Sequence, residues 1–307
     1  MKASITAHRH SGISDKAGCS IIIPTRNRSW VLKDCIRHLS NQSAKDYEII
    51  IIDDASDDNT GDLISSLSKS IRYIKLPKRI GCWAARNVGI KNASGEIIIF
   101  VDSDVLVDKN FIADHIELHK NNPNIAVQGV VRHISRPEKF GIKTLRVDGI
   151  CNTGLVIQNC SVPKQKLLDV GLFDEYKFMG YMDVELGMRL KKAGVKVVYA
   201  FNNCIAYHVD GFYTREKLKN VFSKAEERGR TSLRFIARAQ GKTSENVANL
   251  KVLYLSGLLQ TNKWIEKTGL FNLLVKSIDF PLPFIFPILK ELTKYHYRAK
   301  GIKSIRK

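Results

Sequence analysis

The chain is poor in the features that would place it quickly. It has six cysteines in 307 residues, and Cys19, Cys35, Cys82, Cys151, Cys160 and Cys204 are scattered with no close pair. That spacing excludes a zinc knuckle or a C-x-x-C redox motif, and a chain of this length needs no disulfide staples. A reducing, cytoplasmic setting is expected. No apolar run reaches the roughly 18 residues that a membrane span needs. The nearest approach, Ile278–Leu289, contains Pro281, Pro283 and Pro287, which exclude a regular helix through it. Residues 1–18 are polar and lack an apolar signal-type segment, so a flexible leader is expected there. A phosphate loop of the G-x-x-x-x-G-K type is also missing, as is the Gly-rich, basic N-terminal loop of sugar-nucleotide pyrophosphorylases.

Acidic residues are scarce as well: 30 Asp and Glu stand against 49 Lys and Arg, for a net charge of +19. The excess is concentrated. Residues 213–307 hold 20 basic and 7 acidic side chains, a surplus of 13. A basic tail suits an anionic partner such as phospholipid headgroups or a polyanionic acceptor, and it equally describes a solvated helical surface. Nucleic acid is a poor third choice, suggested by charge alone, because the first two thirds of the chain hold no recognised binding module or aromatic–basic repeat. A hydrophobic content of 44% with 26% charged residues is that of an ordinary globular protein, long enough to bury a full core.

After the leader, the first 130 residues alternate between two periodicities. Cys19–Ile23, Tyr47–Ile52, Ile71–Leu76 and Glu96–Val101 are apolar runs that predict buried strands, the first stopped by Pro24. Ser29–Leu39 predicts a helix with Ser29 as N-cap, and Trp83–Asn92 predicts another. The fold class is therefore α/β, with a mostly parallel sheet flanked by helices. Ligands in such sheets bind beyond the carboxyl ends of the strands. Polar clusters fall there: Pro24–Arg28, Asp53–Asp58 and Asp102–Asp104. From about residue 213 the pattern turns to long basic helical segments, Val221–Ala239 and Val247–Leu259, so a boundary is expected near 212.

Asp102-Ser103-Asp104 places two carboxylates at the mouth of the sheet, a donor pair for a hard divalent cation that completes its shell with phosphate oxygens. In Gly81–Gly89, Gly81 permits a tight entry and the two alanines permit close packing. Arg86 there either faces a phosphate or makes a structural ion pair. Around Tyr181–Gly194 the apolar spacing predicts a helix stopped by Gly194, with Asp183 at or near its N-terminus and Glu185 in its first turn.

In order and spacing, Ile21–Arg28, Ile52–Asp57, Gly81–Gly89, Asp102–Asp104 and Asp183–Leu186 resemble family 2 glycosyltransferases over roughly residues 19–212. The resemblance implies the GT-A fold, a nucleotide-sugar donor (a UDP-sugar favoured), Mn²⁺ or Mg²⁺, and inversion at the anomeric carbon. It implies that Asp54 bonds the nucleotide base, with Pro24, Thr25 and Arg26 lining the pocket. Arg86 would approach the phosphate or sugar. Asp102 and Ser103 would lie near the ribose or metal, Asp104 would be the main metal ligand, and His208 a further one. Asp183 would be the general base. Met182 departs from the pattern, since many relatives carry an acid there, and this puts the acceptor's surroundings in question. The implied acceptor is a carbohydrate or lipid-linked hydroxyl, with Asn152–Gly154 on its side of the site. For the tail, attachment to the inner face of an anionic membrane stands beside packing on the catalytic domain or a dimer contact. The competing class is an inactive scaffold or carbohydrate-binding module of the same fold.

Overall fold

The computed structural model describes residues 6–8, 17–67, 71–120, 122–142, 147–148, 155–174, 181–211, 220–231 and 297. The chain divides into two compact units, Met1–Glu175 with Leu186–Gly211, and Tyr176–Glu185 with Phe212–Lys307.

The first unit holds β1 (Thr6–His8), β2 (Cys19–Thr25), α1 (Ser29–Ser40), β3 (Tyr47–Asp53), α2 (Thr60–Leu67), β4 (Ile71–Lys75), α3 (Cys82–Asn92) and β5 (Ile97–Val101). There follow β6 (Val105–Val107), α4 (Phe111–Lys120), β7 (Ile125–Gln128), β8 (Val130–Ile134), β9 (Val147–Asp148), β10 (Asn159–Pro163) and α5 (Lys164–Asp169). Helix α6 (Met182–Lys192) crosses from the second unit into the first, and β11 (Lys196–Tyr199) and β12 (Ile205–Val209) complete it.

Eight strands form one sheet in the order β1-β4-β3-β2-β5-β10-β7-β11. Its centre, β4-β3-β2-β5, is parallel, so the carboxyl ends of these strands share one edge. The apolar runs are buried on both faces. Ile21, Ile23, Ile49 and Ile51 join the core cluster with Val31, Leu32, Cys35, Ile36 and Leu39 of α1. On α3, a Cβ added at Gly89 would lie 2.7 Å from Ile22 and 2.7 Å from Ile52, so only glycine lets that helix approach so closely. A second sheet, β6-β12-β8-β9, was not expected, and it proves decisive for the site.

Three local expectations are corrected. Pro24 does not stop β2, which runs on through Thr25 with Pro24 level with Ile52. The pairing with β5 ends at Ile22, so beyond it β2 has a ladder only on the β3 side, an edge-like position where a missing N–H is tolerated. Ser29 is not the N-cap: Arg28 occupies that position without a side-chain cap, and the Ser29 amide and hydroxyl both donate to Asp58 Oδ2, at 3.2 and 2.9 Å. Within the expected leader, Thr6–His8 pairs antiparallel with β4.

In the second unit, residues 220–231 are helical, Arg230 pairs with Glu226 and Glu227, and Phe222 stacks on Tyr297 with ring centroids 5.1 Å apart. The expected helix over Val247–Leu259, the proline-interrupted Ile278–Leu289 stretch, and Asn152–Gly154 lie outside the described residues. Among the described residues, no helix is long and apolar enough to cross a membrane.

Candidate active site

The first two parallel strands deliver a paired loop. Asp53 ends β3 fully buried, its Oδ1 accepting from the Ser56 amide at 2.7 Å and its Oδ2 from the Tyr73 hydroxyl at 2.5 Å. Burial and the Asp53 carboxylate push the Tyr73 phenol up, so it remains a donor. The next residue, Asp54, faces elsewhere. Its two carboxylate oxygens accept from the amides of Ile80 and Gly81, at 2.6 and 2.9 Å. Gly81 holds φ +95, a left-handed conformation that glycine adopts without cost as the chain turns into α3. Arg26 donates to the carbonyls of Asp54 and Ala55, tying the end of β2 to the loop after β3. Thr25 is buried, and its Oγ1 has no hydrogen-bond partner.

One strand further along, β5 ends at Val101 and the Asp102–Asp104 turn follows. Arg86, reaching from α3, pairs with Asp102 Oδ1. Its guanidinium lies 4.7 Å from the centre of the Trp83 ring. Only 3% of the Arg86 side chain is exposed, and Nε and Nη1 are buried without partners. Buried donors are normally satisfied, so these two call for acceptors that none of the described residues supplies. Ser103 is buried within the turn. Beneath it, Cys35 Sγ lies 3.7 Å from the Asp102 carbonyl, its thiol pushed up by burial and by the charge of Asp104.

The small sheet supplies the remaining side. β12 pairs antiparallel with β6, which sets His208 opposite Val105, and the Val209 amide donates to the Asp104 carbonyl at 2.8 Å. His208 Nε2 thus comes 3.4 Å from Asp104 Oδ1, while Arg28 Nη2 lies 3.6 Å from Asp104 Oδ2. His208 lies within β12. Burial works to lower the His208 pKa, but the Asp210 hydrogen bond and the charges of Asp104, Asp210 and Asp102 outweigh it and raise it.

The structure brings Arg86 to Asp102 and His208 to Asp104, with Pro24 and Thr25 at the end of β2 and Arg26 and Asp54 just beyond β2 and β3. Arg28 joins them although only its motif drew notice. His133 and Asp210 were missed; the alternation of His208 and Asp210 along one strand face was the available signal. Asp183 lies in the first turn of α6, half-buried, its Oδ1 accepting from the Val184 amide at 2.9 Å, and it belongs to the second unit. Among the described residues the three ligand atoms that lie within 4.8 Å of one another are those of His133, His208 and Asp210, and Asp104 approaches His208 as well. Carboxylate and imidazole donors suit a divalent ion.

Residues 20–181, more than half of the chain, match the Glycosyl transferase family 2 profile. The chain belongs to glycosyltransferase family 2. The mannosyltransferase PcManGT from Pyrobaculum calidifontis, solved with GDP-Man and Mn²⁺, shares the fold at TM-score 0.62 and 15% identity, over 95% of this chain and 88% of that one. S. aureus TarS 1-349, in complex with UDP, does so at TM-score 0.53 and 17% identity, over 94% and 91%. The architecture of this family 2 member is thus GT-A. Among curated relatives, an uncharacterized glycosyltransferase of Bacillus subtilis is 26% identical over 238 residues, 57% of this chain and 61% of its own length. The chain spans 19% and 32% of two further glycosyltransferase relatives.

Proposed function

We propose that the chain is a metal-dependent, inverting glycosyltransferase that moves a sugar from a nucleotide-diphosphate donor, a UDP-sugar favoured, to a hydroxyl of a polysaccharide or glycolipid precursor. The observation that carries this reading is Arg86. A buried guanidinium with unpartnered Nε and Nη1, one strand end away from the unpartnered Thr25 Oγ1, suits an anionic ligand rich in acceptor oxygens. TarS, bound to UDP, and PcManGT, bound to GDP-Man and Mn²⁺, support the donor class.

In this reading Asp54, Thr25, Pro24 and Arg26 bound the nucleoside pocket, and Asp102 and Ser103 the ribose side. Asp102, Asp104 and His208 would hold Mn²⁺ or Mg²⁺, which supplies positive charge against the leaving diphosphate. Arg86 and Arg28 add fixed positive charge where negative charge develops as the glycosidic bond breaks. An acceptor hydroxyl is a poor nucleophile until its proton is taken, and Asp183 is assigned that task. Attack from the face opposite the diphosphate inverts the anomeric centre. The basic surplus after residue 213 supports peripheral attachment to an anionic membrane face on the cytoplasmic side, where lipid-linked acceptors are available.

A thermal-shift screen against UDP-, GDP- and dTDP-sugars, with and without Mn²⁺, tests the donor site, because a ligand of the native state raises the melting temperature. Stabilisation by one nucleotide that requires metal and is lost in Asp104→Ala is the expected outcome. Stabilisation by no donor, with no donor hydrolysis, would turn the reading to an inactive scaffold.

A further inference from the structure

The contacts of His208 continue away from Asp104 into the small sheet. β8 and β12 run parallel with His133 level with His208, and the two ring centroids are 5.1 Å apart. Asp210 follows β12, and its amide donates to the Ile134 carbonyl at 2.8 Å, which anchors it at the end of β8. Its Oδ1 lies 3.1 Å from Nδ1 of His208 and 3.1 Å from Nδ1 of His133. A carboxylate only accepts, so both contacts require a hydrogen on Nδ1. A neutral imidazole protonated there keeps its lone pair on Nε2, and it is Nε2 of His208 that stands 3.4 Å from Asp104.

We propose that Asp210 and His133 are positioning residues for His208. Asp210 fixes the Nδ1–H form of the His208 ring and its direction, and His133 steadies the Asp210 carboxylate by a second hydrogen bond to the same oxygen. The cluster is well shielded, with side-chain exposures of 5% for His133 and 19% for Asp210 and His208. A carboxylate in so sheltered a place costs desolvation, and two converging N–H donors offset that cost. The consequence is a preset metal ligand, of the kind in which an outer carboxylate orients an imidazole and raises its basicity. That consequence rests on the metal reading of the site; the tautomer does not.

Two measurements on the full chain separate these. The first is a ¹⁵N–¹H correlation spectrum of histidine-labelled protein at pH about 8.5, above the ordinary imidazole range. His208 and His133 are expected as Nδ1–H tautomers, with His208 losing that form in Asp210→Ala. The second is a titration with Mn²⁺ alone, followed by the loss of its free EPR signal. Asp210→Ala is expected to weaken binding about tenfold or more, with Asp210→Asn recovering part through its remaining acceptor oxygen and His133→Phe costing less. A wild-type His208 protonated on Nε2, or Mn²⁺ affinity unchanged in Asp210→Ala, would overturn the positioning role. So would a second bound Mn²⁺ that His133→Phe removes, since the three ligand atoms lie within 4.8 Å of one another and would then be ligands themselves. If the wild type binds no Mn²⁺, the metal reading fails and the tautomer spectrum alone decides the positioning.

Discussion

Arg86 on α3 donates through Nη2 to Oδ1 of Asp102, joining the helix to the carboxyl end of β5. The arginine is 3% exposed and the aspartate 30%, so the pair sits at the boundary between core and surface. Lysine keeps the charge but loses the planar fork and the stacking on Trp83. Arg86→Lys is therefore expected to weaken nucleotide-sugar binding by at least about tenfold, read by calorimetry. Removal of the charge in Arg86→Met leaves Asp102 without its partner. Because Asp102 is partly solvated, the expected loss of stability in urea is about 1–2 kcal/mol rather than that of a fully buried pair.

A separate polar cluster predicts acid sensitivity. His115 and His119 of α4 both lie 2.8 Å from the Ser161 hydroxyl of β10. Burial, aided by the neighbouring His119 and opposed by the Asn159 hydrogen bond, lowers His115 to about 3. Burial lowers His119 to about 4 against its bond to Ser161. Both are depressed below the unfolded value of about 6.5, so their contribution is complete above pH 6.5. As pH falls further, the unfolded chain takes up protons that the folded one refuses, and stability is lost down to about pH 4 and 3. His208 shifts upward, so its gain on acidification is complete by about pH 6.5 and does not mask the fall. Urea unfolding between pH 6.5 and 4.5 is expected to lose about 1 kcal/mol per pH unit for each histidine, below the limiting slope of about 1.4. His119→Leu should roughly halve that slope; an unchanged slope would refute the assignment.

Asn87 gives a third test. Its Nδ2 donates to the Phe173 carbonyl at 2.8 Å and its Oδ1 accepts from the Phe173 amide at 3.0 Å, across a separation of 86 residues. The turn it grips is strained at Leu172, held at φ +63 beside Gly171, and Arg189 holds the carbonyls of Val170 and Leu172. In Asn87→Ala two buried backbone groups lose their partner. A destabilisation of about 2 kcal/mol in urea is expected, and Asn87→Asp, which accepts but cannot donate, should fall between.

The parallel centre of the fold was legible because β2, β3 and β5 are almost wholly buried and read as near-continuous apolar runs, with β4 a shorter segment broken by Arg72. Helices α1 and α3 were legible by their spacing. The small sheet was not. β6 is three residues long and β9 two, too short for any period to register. Asp102, Asp104 and Arg86 could be chosen because they follow strands or sit in a distinctive motif. Asp210 offered only its place two residues past His208, and His133 offered nothing, since its relation to His208 exists only once β8 and β12 pair in register. The same short strands bring His208 to Asp104, a meeting that no local rule anticipates.

Adjacent acids with divided roles supply the last prediction. Asp53 is spent on Ser56 and Tyr73 inside the fold, whereas Asp54 holds the Ile80 and Gly81 amides from its two oxygens. Asparagine at position 54 can satisfy one amide with its oxygen, but its NH₂ would face the other donor. The entry to α3 should then loosen, and with it the placing of Arg86 five residues past Gly81. Asp54→Asn is expected to speed hydrogen exchange at the Ile80 and Gly81 amides and to cost about 1–2 kcal/mol of stability. Donor affinity should fall at least about tenfold if Asp54 also meets the base, since a ligand contact is lost as well as a loop contact. Asp53→Asn makes the contrast: it leaves Ile80 and Gly81 held, so it should lower stability through Ser56 and Tyr73 while nucleotide affinity in the folded protein stays near that of the wild type. Equal losses of affinity in the two variants would mean that the loop acts as one unit and that Asp54 has no separate part in holding the donor.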